Sequence, residues 1–348
     1  MFIANRIKLL LPILSPLIAI ALALLVGAGL ILLAGANPIV AYTALFKESL
    51  TTYFGFGNTL TKMTPLLFTS LGVLVALRGG QFNIGGEGQI YLGALGSSLI
   101  GLYVQGIPAL IHIPLALFIG FVFGAVWGWF PGYLKAIKGV NEVITTLLLN
   151  YIAINLISYL VQNPLKAPAA PSPYSSLIAK TAQLPIILPG SLAHAGILLA
   201  LITAGILWVL LVRSPLGYQI STVGFNPIAA RYAKISVEQT IMLIMSLAGG
   251  LAGLAGACEV MGLKYRLFEQ VSPGYGFDAI AIAFLSRGNI WGVVLTSLFF
   301  ASLRSGANIM QRSAGVPVTV VYAIQGFTVL FIAIALALES RGKVTGDR

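Results

Sequence analysis

The sequence predicts an all-α, polytopic membrane protein of about ten transmembrane helices in two inverted-repeat halves, with broken or short helices near the midplane. Three observations predict it. Apolar residues make up 58% of the 348 and charged residues only 8%, against about 25% charged in a soluble domain. With a mean hydropathy of +0.97, such a chain cannot cover a water-facing surface, and its main solvent is lipid. Apolar runs near the length of a membrane span recur about ten times along the chain. Two glycine-rich polar stretches interrupt these runs, and backbone of that kind is tolerated at membrane depth only inside protein or beside a water-filled cavity.

The elements follow in chain order. Arg6 and Lys8 precede an apolar stretch from Leu9 to Ala34, which ends at Ala34-Gly35-Ala36. The triplet has the form of a cleavage site, but the run is about twice a signal-peptide core, so 12–35 reads as an uncleaved first span. Further spans fall near 59–77, 88–105, 113–134, 142–162, 194–213, 239–262, 277–287, 289–305 and 316–338. The eighth and ninth are short enough to be half-spans or a re-entrant hairpin. An even count puts both termini on one side. With the N-terminus cytosolic, twelve of the 20 basic residues are cytosolic, Arg6, Lys8, Arg341, Lys343 and Arg348 among them. That is a modest bias in the sense of the positive-inside rule. The Pro-rich loop at about 163–193 is then an external, partly ordered cap, and the loop at about 213–238 is cytosolic.

Gly120, Gly124, Gly128 and Gly132 recur every four residues, as do Gly93, Ser97 and Gly101, and Gly249 and Gly253 with Ala252 and Gly256 beside them. Small residues at that spacing let helix backbones approach closely, which predicts a tightly packed bundle and no particular chemistry.

Polar groups inside spans are costly and mark pathways or packed interiors. The stretch RGGQFNIGGEGQIYLG at 78–93 places Asn83, Glu87 and Gln89 on a glycine-rich backbone between two apolar runs. Its glycines break the helix, and its side chains or water satisfy the amides so exposed. A similar stretch, SPGYGFDAIA at 272–281, puts Asp278 behind glycines at the start of another helical run. In the N-in topology the two enter from opposite sides, as in an inverted repeat. Asn141, Glu142 and Asn150 join Asn83, Glu87, Gln89 and Asp278 as candidate substrate-pathway residues. A carboxylate at a helix start is also stabilising, which gives Glu142 a purely structural alternative. Glu259 has one too, in pairing with Lys264 or Arg266. Asn155, Asn308, Gln311 and Gln325 are further polar groups inside spans.

Several chemistries are excluded. The net charge of +11 is spread over single residues with no aromatic-interleaved basic stripe, so contact with anionic lipid is expected and nucleic acid is not. One cysteine, Cys258, builds no disulfide framework. His112 and His194, near outer span ends, form no ligand cluster, and no metal site is expected. There is no GxxxxGK[ST] phosphate loop and no GxSxG or HExxH motif. Energy for transport must come from another protein or an ion gradient.

The cytosolic loop reads SPLGYQISTVGFNPIAARYAKIS from 214 to 236. Asn226 followed by Pro227 is a helix-start signal, an acceptor for an orphan amide and then a preset φ. The turns from Ile228 end near Lys234. Gly224, Asn226, Pro227, Ala229, Ala230, Arg231, Tyr232 and Ile235 form the candidate docking segment. Ile228, Tyr232 and Ile235 are its anchors and Arg231 a polar grip. Ala230→Glu or Tyr232→Asp is expected to leave the chain folded and separate it from its partner.

Together with GVNEVITTLLLNYIA at 139–153, GGLAGLAGACEVMG at 249–262 and GYGFDAIAIAFLSRG at 274–288, these segments resemble permease subunits of bacterial ABC importers. The likeness is to the ribose and branched-chain-amino-acid superfamily, nucleoside and simple-sugar branch. It runs from about Thr59 to the last span, and FNIGGEGQ and GVNEVITTLLLNYIA are its most specific pieces. It implies one permease domain over 1–348 with about ten helices in two inverted halves. It also implies a second permease subunit, identical or different, and an ABC ATPase or half of a fused double ATPase that carries ATP and Mg. A periplasmic or lipid-anchored substrate-binding protein would deliver cargo. The segment 217–236 matches the family's coupling helix. One departure stands out: the family usually has glycine where Lys234 stands, which puts the loop's geometry in question.

The reading is a bacterial inner-membrane permease with both termini cytosolic. It is not itself an enzyme, has no cofactor of its own, and moves a nucleoside or related neutral solute. The alternatives are a simple-sugar or branched-chain-amino-acid permease and, from another class, a secondary transporter with Asp278 and Glu87 coupling an ion. A scaffold without transport is the third class.

Overall fold

The computed structural model describes residues 2–168 and 170–346, with side chains from 14 to 338. The side chains of Arg6, Lys8, Arg341 and Lys343, and all of Arg348, lie outside the described residues. The helices are α1 (Phe2–Leu33), α2 (Pro38–Thr51), α3 (Tyr53–Arg78), α4 (Gly86–Tyr103), α5 (Ala109–Lys138), α6 (Glu142–Gln162), α7 (Gly196–Arg213), α8 (Pro215–Phe225), α9 (Pro227–Tyr232), α10 (Val237–Cys258), α11 (Tyr275–Leu285), α12 (Ile290–Ala314) and α13 (Thr319–Gly346). Among the described residues, β structure is limited to isolated bridges.

Among the described residues, eight helices are long and apolar enough to cross a membrane, α10 with its π-helical extension Glu259–Lys264 counting as one. The chain is an all-α, multi-pass membrane protein. Two more helices fill the expected places of the third and eighth spans. In α4, 18 residues long, the polar head Gly86-Glu87-Gly88-Gln89 dilutes an otherwise apolar helix. In α11, 11 residues rise only about 16 Å, roughly half a hydrocarbon core. The ninth span is not short: α12 has 25 residues. In its polar second half Ser305 donates to the Gly55 carbonyl at 3.3 Å and the Arg304 guanidinium lies 5.7 Å from the Tyr322 ring centre, while Asn308, Gln311 and Arg312 are exposed. Two elements are additional, α2 and, ahead of the expected docking helix, α8. α2 is capped by Asn37, which accepts from the Ile39 amide, with Pro38 at its first position.

The chain divides into two compact units. One takes the described residues up to Thr59 and from Ala281 onward. Its core joins Ala23 and Ile31 of α1, Ala41 and Leu45 of α2, Leu303, Ala307 and Met310 of α12, and Val321 and Ile324 of α13.

The other unit, Leu60–Ile280, is organised by the three small-residue faces, which meet one another. A Cβ on Gly124 of α5 would fall 2.3 Å from the Gly249 carbonyl oxygen of α10. One on Gly93 of α4 would fall 2.1 Å from that of Gly253. Backbone touches backbone along this seam, and the packing α4–α5–α10 follows from it.

The Pro-rich loop is more ordered than its composition suggests. Ser175 and Ile178 donate their amides to the Leu267 and Tyr265 carbonyls at 2.9 Å, and Leu184 donates to Met261 at 2.8 Å. Arg266 stacks 4.6 Å from the Tyr174 ring centre, while Lys264 donates to the Gln270 and Val271 carbonyls. The loop is strapped to the end of α10, and backbone bonds rather than propensity hold it. His194, buried at the loop's end, is kept neutral because burial lowers its pKa to about 4.

Candidate functional site

Between α3 and α4 the helix breaks as the glycines require. Gly80 is left-handed at φ +69°, and the backbone stays non-helical until Gly86. The orphan amides find side chains. Asn83 Oδ1 accepts from the Gly85 amide at 2.9 Å, and Asn83 Nδ2 donates to Gln89 Oε1 at 3.0 Å. Asn150 of α6 clamps the break from across, accepting from the Gly88 amide at 2.8 Å and donating to the Ile84 carbonyl at 2.9 Å. Thr146, one turn earlier, accepts from the Ile84 amide at 3.3 Å.

Glu87 does something else. Its two oxygens accept the amides of Gly274 and Gly276, at 3.2 and 2.8 Å, at the N-terminus of α11. Glu87 also lies in the first turn of α4, so one carboxylate serves the positive ends of two broken helices. The fit requires glycine, because a Cβ on Gly276 would fall 2.2 Å from the Glu87 amide nitrogen.

The structure therefore brings together Asn83, Glu87, Gln89 and Asn150, all buried, as a latch closing the two breaks on each other. Asn141 and Glu142 stand apart. Asn141 caps α6 through the Val143 amide, and Glu142 pairs with Lys135 at 2.8 Å. Asp278 sits half-buried in the first turn of α11. Thr146 is a member the sequence reading passed over, while Gly274 and Gly276, noted there as leading a helix start, turn out to donate the amides Glu87 accepts. Thr146 had a signal: with Glu142 and Asn150 it makes a polar series at four-residue spacing on one helix face.

Removing the latch carboxylate is expected to be expensive. Glu87→Ala leaves two buried amides without their charged acceptor, at about 1.5–3 kcal/mol per bond, whereas Glu87→Gln keeps an acceptor and loses less. Thermal unfolding of purified protein in detergent checks this. An Ala variant melting with the parent would mean the latch carries no weight.

The second feature is α8–α9. Asn226 caps α9 with Oδ1 accepting from the Ile228 and Ala229 amides, and Pro227 takes its first position. Lys234 ends it in the left-handed region at φ +59°. That explains why glycine suits the position, and lysine keeps the same turn under strain of about 1–2 kcal/mol. One expectation for this segment is corrected. Ala230 is fully buried against Val223, Val237 and Ile241, so Ala230→Glu would disrupt the loop's own packing. Arg231 is engaged, its guanidinium 2.7 Å from Glu238, and Ile235 packs half-buried against the same cluster. Three large apolar side chains are exposed beside polar ones: Phe225 at 94%, Ile228 at 67% and Tyr232 at 88%. Phe225 was not among the expected anchors. Behind them, a Cβ on Gly224 would fall 2.1 Å from the Arg78 carbonyl oxygen and 2.8 Å from Gly80 N, so the loop sits directly on the elbow that leads to the latch.

Residues 55–333 match the family described as branched-chain amino acid transport system, permease component. Among curated relatives, the chain is 37% identical to the guanosine ABC transporter permease protein NupP of Bacillus subtilis (strain 168), over 96% of each chain. It is 35% identical to the glucose ABC transporter permease protein TsgB13 of Haloferax volcanii, over 91% of this chain and 86% of that one. It is also 35% identical to the nucleoside ABC transporter permease protein NupB of Lactococcus lactis subsp. cremoris, over 94% and 92%. In the two bacteria with guanosine and nucleoside permeases a second such protein matches as well, at 24% identity over 71% of this chain and 26% over 81%. No solved structure matches.

Proposed function

This chain belongs to the branched-chain amino acid transport system permease component family, and on that premise we propose that it translocates a nucleoside for an ATP-driven ABC importer. Two of the three relatives above are named for guanosine or nucleosides. The third, named for glucose, keeps a simple sugar as the second reading. ATP and Mg belong to a partner ATPase, and this chain catalyses no chemistry. The second matches in the same two bacteria support pairing with a second, different permease subunit. A periplasmic or lipid-anchored binding protein delivers cargo. The setting is the bacterial inner membrane, with both termini and the 213–238 loop cytosolic and the 163–193 loop external.

The observation that carries the energy-coupling part is the outward face Phe225–Ile228–Tyr232. Three large apolar side chains left exposed at the end of α8 and on α9 are unfavourable unless covered, and the buried Ala230 holds α9 against the neighbouring helices for a partner. Truncating a central anchor of an interface costs about 2 kcal/mol or more. In the complex reconstituted with ATPase, second permease and binding protein, Tyr232→Asp is expected to leave the permease inserted and monodisperse. Co-purification of the ATPase should fall at least about tenfold, and hydrolysis stimulated by loaded binding protein with it. Full retention of both would sink the docking assignment and favour ion coupling.

A further inference from the structure

The latch residues turn toward one another, and polar side chains that look outward near mid-span are found on α6. Tyr151 and Tyr159 are each 61% exposed, and Asn155 between them is exposed too. At 1.5 Å per residue, Tyr151 and Asn155 sit about 14 and 20 Å along a helix of about 31 Å, near mid-membrane. The one side-chain hydrogen bond of Asn155 among the described residues runs from Nδ2 to the Tyr151 carbonyl, at 2.7 Å. At 100° per residue Tyr151, Asn155, Ser158 and Gln162 fall within about 60° of one another. The stripe continues to the external end of the helix, where Ser158 and Gln162 both donate to Glu269, at 2.5 and 3.1 Å. Toward the cytosolic end the same face changes to exposed Ile144 and Leu148.

Lipid does not explain this face. Hydrocarbon offers nothing to a carboxamide or a phenol, and polar groups in spans face protein or water. The outward residues of α7 are apolar by contrast: Leu198, Ile202, Ile206 and Val209.

Resting on the nucleoside reading, we propose that the Tyr151–Asn155 face of α6 is a cargo-contacting wall of the transport path. A flat heterocyclic base stacks on the Tyr151 ring, as bases do on aromatic side chains. The Asn155 carboxamide, donor and acceptor side by side, meets the donor–acceptor edge of the base. Ser158, Gln162 and Glu269 form its wetted external approach, and Ile144 and Leu148 its apolar closure toward the cytosol.

The test has two arms, both in the complete transporter. Asn155→Cys in a Cys258→Ala background is expected to react with a charged, impermeant methanethiosulfonate reagent added outside, and guanosine to slow that reaction. Ile202→Cys, the lipid-facing control, should stay unlabelled. In the second arm Tyr151→Leu and Asn155→Leu are expected to cut guanosine uptake at least tenfold with the ATPase still bound, while Tyr151→Phe retains it. Absence of labelling, or unchanged uptake in both Leu variants, overturns the proposal and assigns the face to lipid or to the second permease. A parent complex that takes up glucose and no nucleoside overturns the cargo reading and the base contact with it, and the parent alone reveals that outcome.

Discussion

Replacing Gly253 by valine is expected to abolish accumulation of folded protein in the membrane. A Cβ at this position would lie 2.4 Å from the Gly120 carbonyl oxygen and 3.1 Å from the Gly124 Cα, both on α5. On its other side, the Gly253 carbonyl oxygen is the atom that a Cβ on Gly93 of α4 would strike. Every obstacle is backbone, so no side chain can rotate aside, and the helices must separate. Overpacking a core with movable neighbours costs about 1–3 kcal/mol. A three-helix backbone contact belongs above that range, because closeness is what holds membrane helices together where no hydrophobic force does. Gly205→Val is the matched control. A Cβ there meets nothing within 4 Å, and its effect should stay within about 0.5 kcal/mol. Yield and melting temperature of the two purified variants decide the matter. Similar values for both would show the seam to be loose.

The four-residue spacing of these glycines made the faces legible, but not their pairing. Spacing shows that a helix is approached closely without saying by which helix. The same limit applies at the latch. Both glycine-led helix starts stand out in the sequence, yet the bond from Glu87 to Gly276 spans 189 positions, and nothing local announces it. Capping was read reliably where it was looked for, at Asn226-Pro227. The same pair at Asn37-Pro38 was passed over because the 14-residue helix behind it is no span. The ninth span was expected to end at 305, although α12 runs on to Ala314 and Arg304 has an aromatic ring beside it within the protein. For Ala230, a helix of six residues has too few positions to reveal a buried face by periodicity. Its inward turn is set by Val223, Val237 and Ile241, on the helices either side.

Gly224→Ala is expected to uncouple transport from ATP hydrolysis without detaching the ATPase. Gly224 seats the end of α8 on the backbone of Arg78, Gly79 and Gly80. Conversely, a Cβ on Gly80 would fall 3.1 Å from the Gly224 Cα. Such a contact has no compliant side chain in it, so a displacement of α8–α9 is passed to the elbow rather than absorbed. A second tie, from the Arg78 guanidinium to the Leu211 carbonyl at 3.5 Å, joins the end of α3 to the end of α7. From the elbow the chain runs through Asn83, Ile84 and Gly85, whose bonds to Gln89, Asn150 and Thr146 fix the start of α4 and thereby Glu87. The methyl group of alanine would lift the loop off the elbow, while Phe225, Ile228 and Tyr232 stay exposed. The variant should therefore co-purify with the ATPase and keep basal hydrolysis. Stimulation by loaded binding protein, and uptake with it, should fall about tenfold or more, equivalent to roughly 1.4 kcal/mol of lost coupling. Tyr232→Asp should lose the ATPase itself, and the contrast separates docking from transmission. Normal stimulated hydrolysis and uptake in Gly224→Ala would remove the elbow from the coupling route. Loss of the ATPase in both variants would show that seat and face are one interface rather than two steps.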